Sequence, residues 1–213
     1  MLRSLVGSEM CIRDSYISVE TKLEKAIALI DKKNNDDPNI EVFEGKSYPK
    51  ELLYSMRMTA KLLTVRPKAS EALQIAIRAQ HICRWEIPRK KYPMDRIGYF
   101  KWRNDLKKMH AEITSNLLEG LSYEKALIDR VAFLINKKLI KRDPEIQLLE
   151  DIVCLVFLEY YFEAFMVKHT DEKIIDILRK TWVKMSDEGQ ELALKLNLSE
   201  DGQNLVKKAL EKN

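Results

Sequence analysis

Helix-breaking residues are scarce in this chain: six glycines and six prolines in 213 residues. With many Leu, Lys, Glu and Ala, that scarcity favours helix throughout. No stretch sustains a two-residue alternation of apolar and polar side chains, so no sheet is expected. Cysteine is nearly absent as well. The three, Cys11, Cys83 and Cys154, show no paired spacing, which excludes a disulfide framework and a CxxC metal or redox motif. Cys83 and Cys154 read as small buried hydrophobes, and a cytoplasmic setting is expected. Long apolar runs are missing too. The longest, Ile152 to Leu158, has seven residues, far short of a membrane span. No membrane partner is expected.

What is present describes an ordinary globular protein: 46% hydrophobic and 33% charged residues. The net charge of +4 is modest but uneven. From Arg84 to Lys108, nine Lys/Arg stand against Glu86, Asp95 and Asp105, a local excess of six, so the remainder of the chain is slightly acidic. A local positive excess is what a phosphate or carboxylate site requires.

Residues 1–15, MLRSLVGSEMCIRDS, have no helical period and join awkwardly to the helical pattern that begins near Val19. They resemble a translated sequencing-adapter fragment, so they are set aside as a non-native leader with Cys11. Residues 16–213 are expected to form a single all-α domain of about eight to nine helices. Val19–Lys33 has the i, i+4, i+7 apolar spacing of an amphipathic helix. Asn39–Tyr48 reads as a polar loop, and Pro49 opens a helix to about Val65. Pro67 leads into a nearly all-apolar helix through Ile82 that carries Gln80 and His81 near its end. A helix from about Asp95 stops at Gly120, and Ser122 can cap the next, to Lys138. Asp143-Pro144 is a strong start signal for a helix to Met166 that is apolar almost all round and therefore central. Thr170-Asp171 opens another, to about Met185, and two short helices complete the chain.

The stretch from Ala69 to His110 organises the rest. A buried helix brings His81 to a turn dense in cations and aromatics, which points to a site for an anionic ligand, with a metal. Arg84, Arg89, Arg96 and Arg103 are the candidate phosphate contacts, since guanidinium binds phosphate in bidentate fashion. Trp85, Trp102 and Tyr99 are candidates for stacking on a ring. Glu150 and Asp151 lie inside an apolar run, where an isolated carboxylate must be paired, protonated or bound to a cation. Neighbouring helical residues diverge by about 100°, so one of the two is expected to face inward. Glu51, His81, His110 and Asp151, each on a different helix, form a candidate metal set. Against it stand plainer alternatives: His81 as a hydrogen-bonded core residue, His110, Lys107 and Lys108 as surface, and Asp151 paired with Arg57, Arg78 or Arg84.

Five segments, Pro49–Met58, Arg78–Arg89, Tyr92–Arg103, Leu149–Glu159 and Asp176–Ser186, carry a resemblance to the domain-of-unknown-function family 4202. Some members of that family bear a glutamyl-tRNA synthetase label. Lys184-Met185-Ser186 repeats the opening of the class I KMSKS signature, but Asp187-Glu188-Gly189 departs from it. With no HIGH-type motif and no Rossmann-like strands, the label is rejected. The order Glu51, His81 thirty residues on, then Asp151 seventy beyond is similar to that of the HD phosphohydrolase superfamily. That likeness implies an all-helical hydrolase with a divalent metal (Mn, Fe, Zn or Mg), His81 and Asp151 being the matching ligands. Ile82 replaces the doublet Asp, and Glu51 the first His, so either the site is remodelled around Glu86 or His110 or the metal is lost.

The pattern supports two functions, beside a plainer reading as a helical scaffold whose buried polar residues only knit the core. One is a metal-dependent phosphohydrolase of a small phosphorylated or nucleotide-like substrate, with His81, Asp151 and Glu86 catalytic. The alternative is a non-enzymatic basic helical module that binds RNA or an acidic partner.

Overall fold

The computed structural model describes residues 20–137 and 141–211. The leader expected at residues 1–15 lies outside them. Ten α-helices and one small hairpin make up the described residues: α1 (Lys22–Asn34), β1 (Ile40–Phe43), β2 (Lys46–Pro49), α2 (Lys50–Val65), α3 (Glu71–Arg78), α4 (Arg96–Gly120), α5 (Lys125–Asn136), α6 (Pro144–Val156), α7 (Phe162–Met166), α8 (Asp171–Lys184), α9 (Asp187–Leu194) and α10 (Glu200–Leu210). None of the helices is long and apolar enough to cross a membrane.

Local chemistry sets the helix starts. Thr21 and Glu24 form a reciprocal capping box at α1. Ser70, Asp95, Asp143, Ser186 and Ser199 each accept a first-turn amide through their side chains. Helix α3 is buried on almost every side and packs on α1, α2, α5 and α6, making it the axis of the core. Ile75, Ala76 and Ile77 there are fully shielded, as are Ile146, Leu149 and Ile152 of α6.

The hairpin corrects the expectation of a loop at Asn39–Tyr48 and of no sheet. Ile40 pairs with Pro49 and Phe43 with Lys46, antiparallel, about a two-residue turn in which Glu44 and Gly45 both have positive φ (49° and 73°). That turn matches the twist of the flanking strands, and Gly45 adopts it without a steric cost. Arg57 holds the hairpin to the body. Its guanidinium donates to Glu41 Oε1 (2.5 Å) and Tyr161 Oη (2.9 Å) and lies 4.6 Å from the ring centres of Phe43 and Tyr160.

Other boundaries also differ from expectation. Helix α3 stops at Arg78, so Gln80 and His81 stand in the turn beyond it, where Cys83 takes a left-handed φ of 54°. Ser122 caps nothing. It is itself left-handed (φ 57°), Glu124 takes the N-cap position of α5, and Gly120 remains inside α4. The expected helix from Pro144 to Met166 is interrupted by a π-helical turn, Phe157–Tyr161, which joins α6 to α7.

Both Glu150 and Asp151 are buried, on different sides of α6, rather than one inward and one outward. Glu150 accepts from Lys137 Nζ at 3.0 Å. Asp151 takes none of the arginine partners expected for it. Arg57 pairs with Glu41, Arg78 with Asp31, and Arg84 with Glu51. Instead Asp151 caps the start of α9, accepting from Ser186 N (2.8 Å), Ser186 Oγ (2.6 Å) and Gln147 Nε2 (3.0 Å). Gly189, in the first turn of α9, leaves room for that carboxylate: a Cβ there would lie 2.7 Å from Asp151 Cγ. Gly189→Ala is therefore expected to destabilise the fold by about 1–3 kcal/mol through overpacking, read as a lowered midpoint in urea unfolding.

Candidate functional site

A cavity of about 350 Å3 opens where α2, the turn after α3, α4, the end of α5 and the π-helical turn converge. Helix α2 supplies Lys50, Glu51 and Tyr54 from its first turns. Its start is held from outside: Asp37, in the loop after α1, accepts from the Glu51 amide at 3.0 Å. That contact sets the rotation of α2 and aims Glu51 at the cavity.

His81 is fully engaged. Nδ1 lies 2.9 Å from Glu51 Oε2, and Nε2 lies 2.9 Å from Arg84 Nη1. A guanidinium has only protons to offer, so Nε2 must be the lone-pair nitrogen, and Nδ1–H donates to Glu51. Arg84 Nε also stands 3.7 Å from Glu51 Oε1. The Tyr54 ring stacks on the imidazole at 4.1 Å between centres. Trp102 supports Arg84 from behind, its ring 4.9 Å from the guanidinium and its indole N–H donating to Ile87 O at 2.7 Å.

Electrostatics follows from burial and from unbalanced cations. Burial pushes His81 well below the ordinary imidazole range, and Arg84, Lys137, Arg103 and Lys50 add to it, so the ring is neutral. Burial raises the Glu51 carboxyl, against the pull of Arg84 and Lys50. The Lys107 ammonium is made more acidic by burial and by the positive charges of Arg103 and Lys137. Lys50, Arg84, Arg103, Lys107 and Lys137 line the cavity, facing Glu51 and, behind Lys137, Glu150: five cations to two carboxylates. Among the described residues, Lys50, Arg103 and Lys107 have no carboxylate within 4 Å.

Of the four residues expected to share a metal, the structure brings three together. Glu51, His81 and His110 line this cavity; Asp151 lines a different one, beside Ser186 and Glu188. His110 is buried (3% exposed), not a surface residue, and its Nε2 has no hydrogen-bond partner. The donor set does not fit a divalent ion. Both nitrogens of His81 are spent, the lining carries an excess of positive charge, and no group of three or more His, Cys, Asp or Glu is disposed around a metal position among the described residues.

Of the expected ligand contacts, Arg84 and Arg103 line the cavity. Arg89 is turned to the carbonyls of Tyr92 and Asp95, and Arg96 is exposed at the start of α4. Glu86 is exposed and Trp85 packs against the core, so neither faces the cavity. Sequence reasoning missed Lys50, Tyr54, Lys107, Lys137, Phe157 and Tyr161. Lys107 was discoverable, being four residues after Arg103 and three before His110 on one helical face. Lys137 carried no signal, since its left-handed backbone (φ 50°) at the end of α5 is what turns it inward.

Comparison with known proteins finds one family, described as Domain of unknown function (DUF4202), matching residues 24–206. No curated protein and no solved structure matches the chain significantly.

Burial holds His110 down at a pKa of about 3, below its ordinary 6.5. A depressed imidazole contributes stability that is present above the unfolded value and lost as pH falls toward the folded one. The protein is therefore expected to lose stability as pH drops below about 6.5, with His110→Phe flattening that loss. Chemical denaturation of both proteins between about pH 7 and pH 4.5 checks this; parallel pH profiles would refute it.

Proposed function

The chain belongs to this domain-of-unknown-function family, and from that starting point we propose, from the cavity itself, that the protein binds a small phosphorylated or nucleotide-like ligand there and hydrolyses its phosphoester. One observation carries the reading: three cations with no carboxylate partner among the described residues converge on a cavity that already holds an oriented carboxylate–imidazole pair. Cations gathered around few carboxylates repel one another, and the partial burial of Lys107 adds to that cost; an anion of two charges would offset it. The volume falls at the small end of ligand cavities, and Tyr54, Phe157 and Tyr161 offer apolar walls for a ring or chain.

A phosphate entering between Lys50, Arg103 and Lys107 competes with Nε2 of His81 for the Arg84 guanidinium. Once Arg84 turns to the phosphate, Nε2 is a free base, with Glu51 holding the ring by Nδ1–H. The arriving negative charge also raises the proton affinity of His81, reversing the effect of the surrounding cations. His81 then takes a proton from water as the water oxygen bonds to phosphorus and the ester P–O bond breaks. The departing oxygen takes its proton from Lys107, which recovers one through solvent. Arg84 and Arg103 offset charge on the phosphoryl oxygens.

Calorimetric titration with inorganic phosphate and with AMP, together with a p-nitrophenyl phosphate hydrolysis assay, tests this. Lys107→Ala is expected to weaken phosphate binding about tenfold, the loss of one charge-assisted contact. His81→Ala is expected to retain binding and abolish turnover. A wild-type protein that binds neither anion overturns the reading. A stoichiometric divalent metal, lost on His81→Ala, would replace it with metal-dependent hydrolysis.

A further inference from the structure

Helix α4 carries more than the cavity uses. Arg96, Phe100, Arg103 and Lys107 follow one another at i, i+4, i+7 and i+11, so they share one face over ~16 Å. Arg103 and Lys107 stand in the cavity wall; Arg96 and Phe100 continue the same line outward across the surface. Along it stand a cation, a ring and two further cations, with the Tyr99 ring beside it, four residues before Arg103. The Arg96 guanidinium lies 5.6 Å from the Phe100 ring centre, and Arg103 lies 5.8 Å from that of Tyr99, donating to its hydroxyl at 3.1 Å. Phe100 and Tyr99 are nevertheless 52% and 39% exposed, a large apolar commitment at a surface.

No acid interrupts the line. Asp105 lies off it, accepting from the Tyr92 hydroxyl at 2.9 Å, and Asp95 is spent capping α4. Among the described residues Arg96, Lys101 and Arg103 have no carboxylate partner. Ile97, three residues before Phe100 and exposed, flanks the stripe, while the stripe's own members are guanidinium, ammonium and ring.

From this continuity we infer that the ligand is the phosphorylated end of a single-stranded nucleic acid, its terminal phosphate in the cavity and its adjoining nucleotides along Arg103, Tyr99, Phe100 and Arg96. The inference rests on the cavity being a phosphate site and adds what lies beyond that phosphate. Guanidinium groups pair with the backbone phosphates, while the exposed rings stack on bases. Cations beside exposed rings suit a polymer that carries both phosphates and bases.

The test uses the full chain and short single-stranded oligoribonucleotides, carrying a 5′-phosphate, a 3′-phosphate or neither, with the fluorophore at the opposite end. One phosphorylated probe is expected to bind at least ~tenfold more tightly than the unphosphorylated one, and more tightly than AMP. In the double variant Arg96→Ala/Phe100→Ala, both exposed positions outside the cavity, oligonucleotide affinity falls at least ~tenfold while inorganic phosphate binds as before. Removing Arg96 also makes the salt dependence shallower by about 0.7 in log–log slope, the value for one single-strand phosphate contact. The inference is overturned if the end phosphate brings no gain, if the double variant binds oligonucleotide like wild type, or if phosphatidylserine vesicles or an acidic peptide bind the stripe in place of oligonucleotide. Should inorganic phosphate still bind and respond to Lys107→Ala in that case, the cavity reading stands alone; should phosphate not bind at all, both fall.

Discussion

An imidazole with both nitrogens committed, one to a carboxylate and one to a guanidinium, ties the middle of this protein together. Glu51 comes from the start of α2, while His81 and Arg84 come from the turn after α3. None of the three satisfies its neighbours alone. Glu51 would be a buried acid among apolar walls, and Arg84 a half-buried cation pressed against Trp102. Linked, they let an irregular turn sit beside the core without orphaned polar groups. The turn in turn leads into α4, which packs on α5 and α1 and lines the cavity together with the start of α2.

The same physics separates the two buried acids of α6. Asp151 is stabilised by the amide and hydroxyl at the start of α9, where the aligned peptide dipoles favour negative charge. It is a joint between helices. Glu150, one residue earlier, points the other way and offsets Lys137 beneath the cavity. Even with that pair formed, the cavity retains a positive excess that nothing within the described residues neutralises. Elsewhere Arg130 has both Asp143 and Glu145, and Arg78 has Asp31. The π-helical turn belongs to the cavity as well. It directs Phe157 and Tyr161 into the cavity, and Arg57 couples it to the hairpin. Such turns are frequent at functional sites.

Much of this was legible in the chain. The all-helical class, the basic stretch from Arg84 to Lys108 and the candidate residues Glu51, His81 and Arg84 follow from composition and pattern. The hairpin was not, because four-residue strands with exposed Ile40 and Val42 show no alternation long enough to read. Grouping His81 with Asp151 failed for a related reason. Spacing along a chain counts residues, while convergence depends on the rotation of each helix about its axis. Asp151 sits about 100° from the side of α6 that Glu150 turns to the cavity, a difference that a one-residue offset makes decisive.

What the sequence by itself determined is therefore periodic and local: where helices start at Asp95 and Asp143, which faces are apolar, and that positive charge gathers around one turn. Those properties depend on a residue and its neighbours within a turn or two. Only the tertiary structure decided which ionisable groups meet. It spent Asp151 on a helix start, closed His81 between Glu51 and Arg84, and turned Lys107 and Lys137 inward as a positive cavity wall. Such pairings are set by helix crossings and by a left-handed residue at a helix end, and no local pattern encodes either.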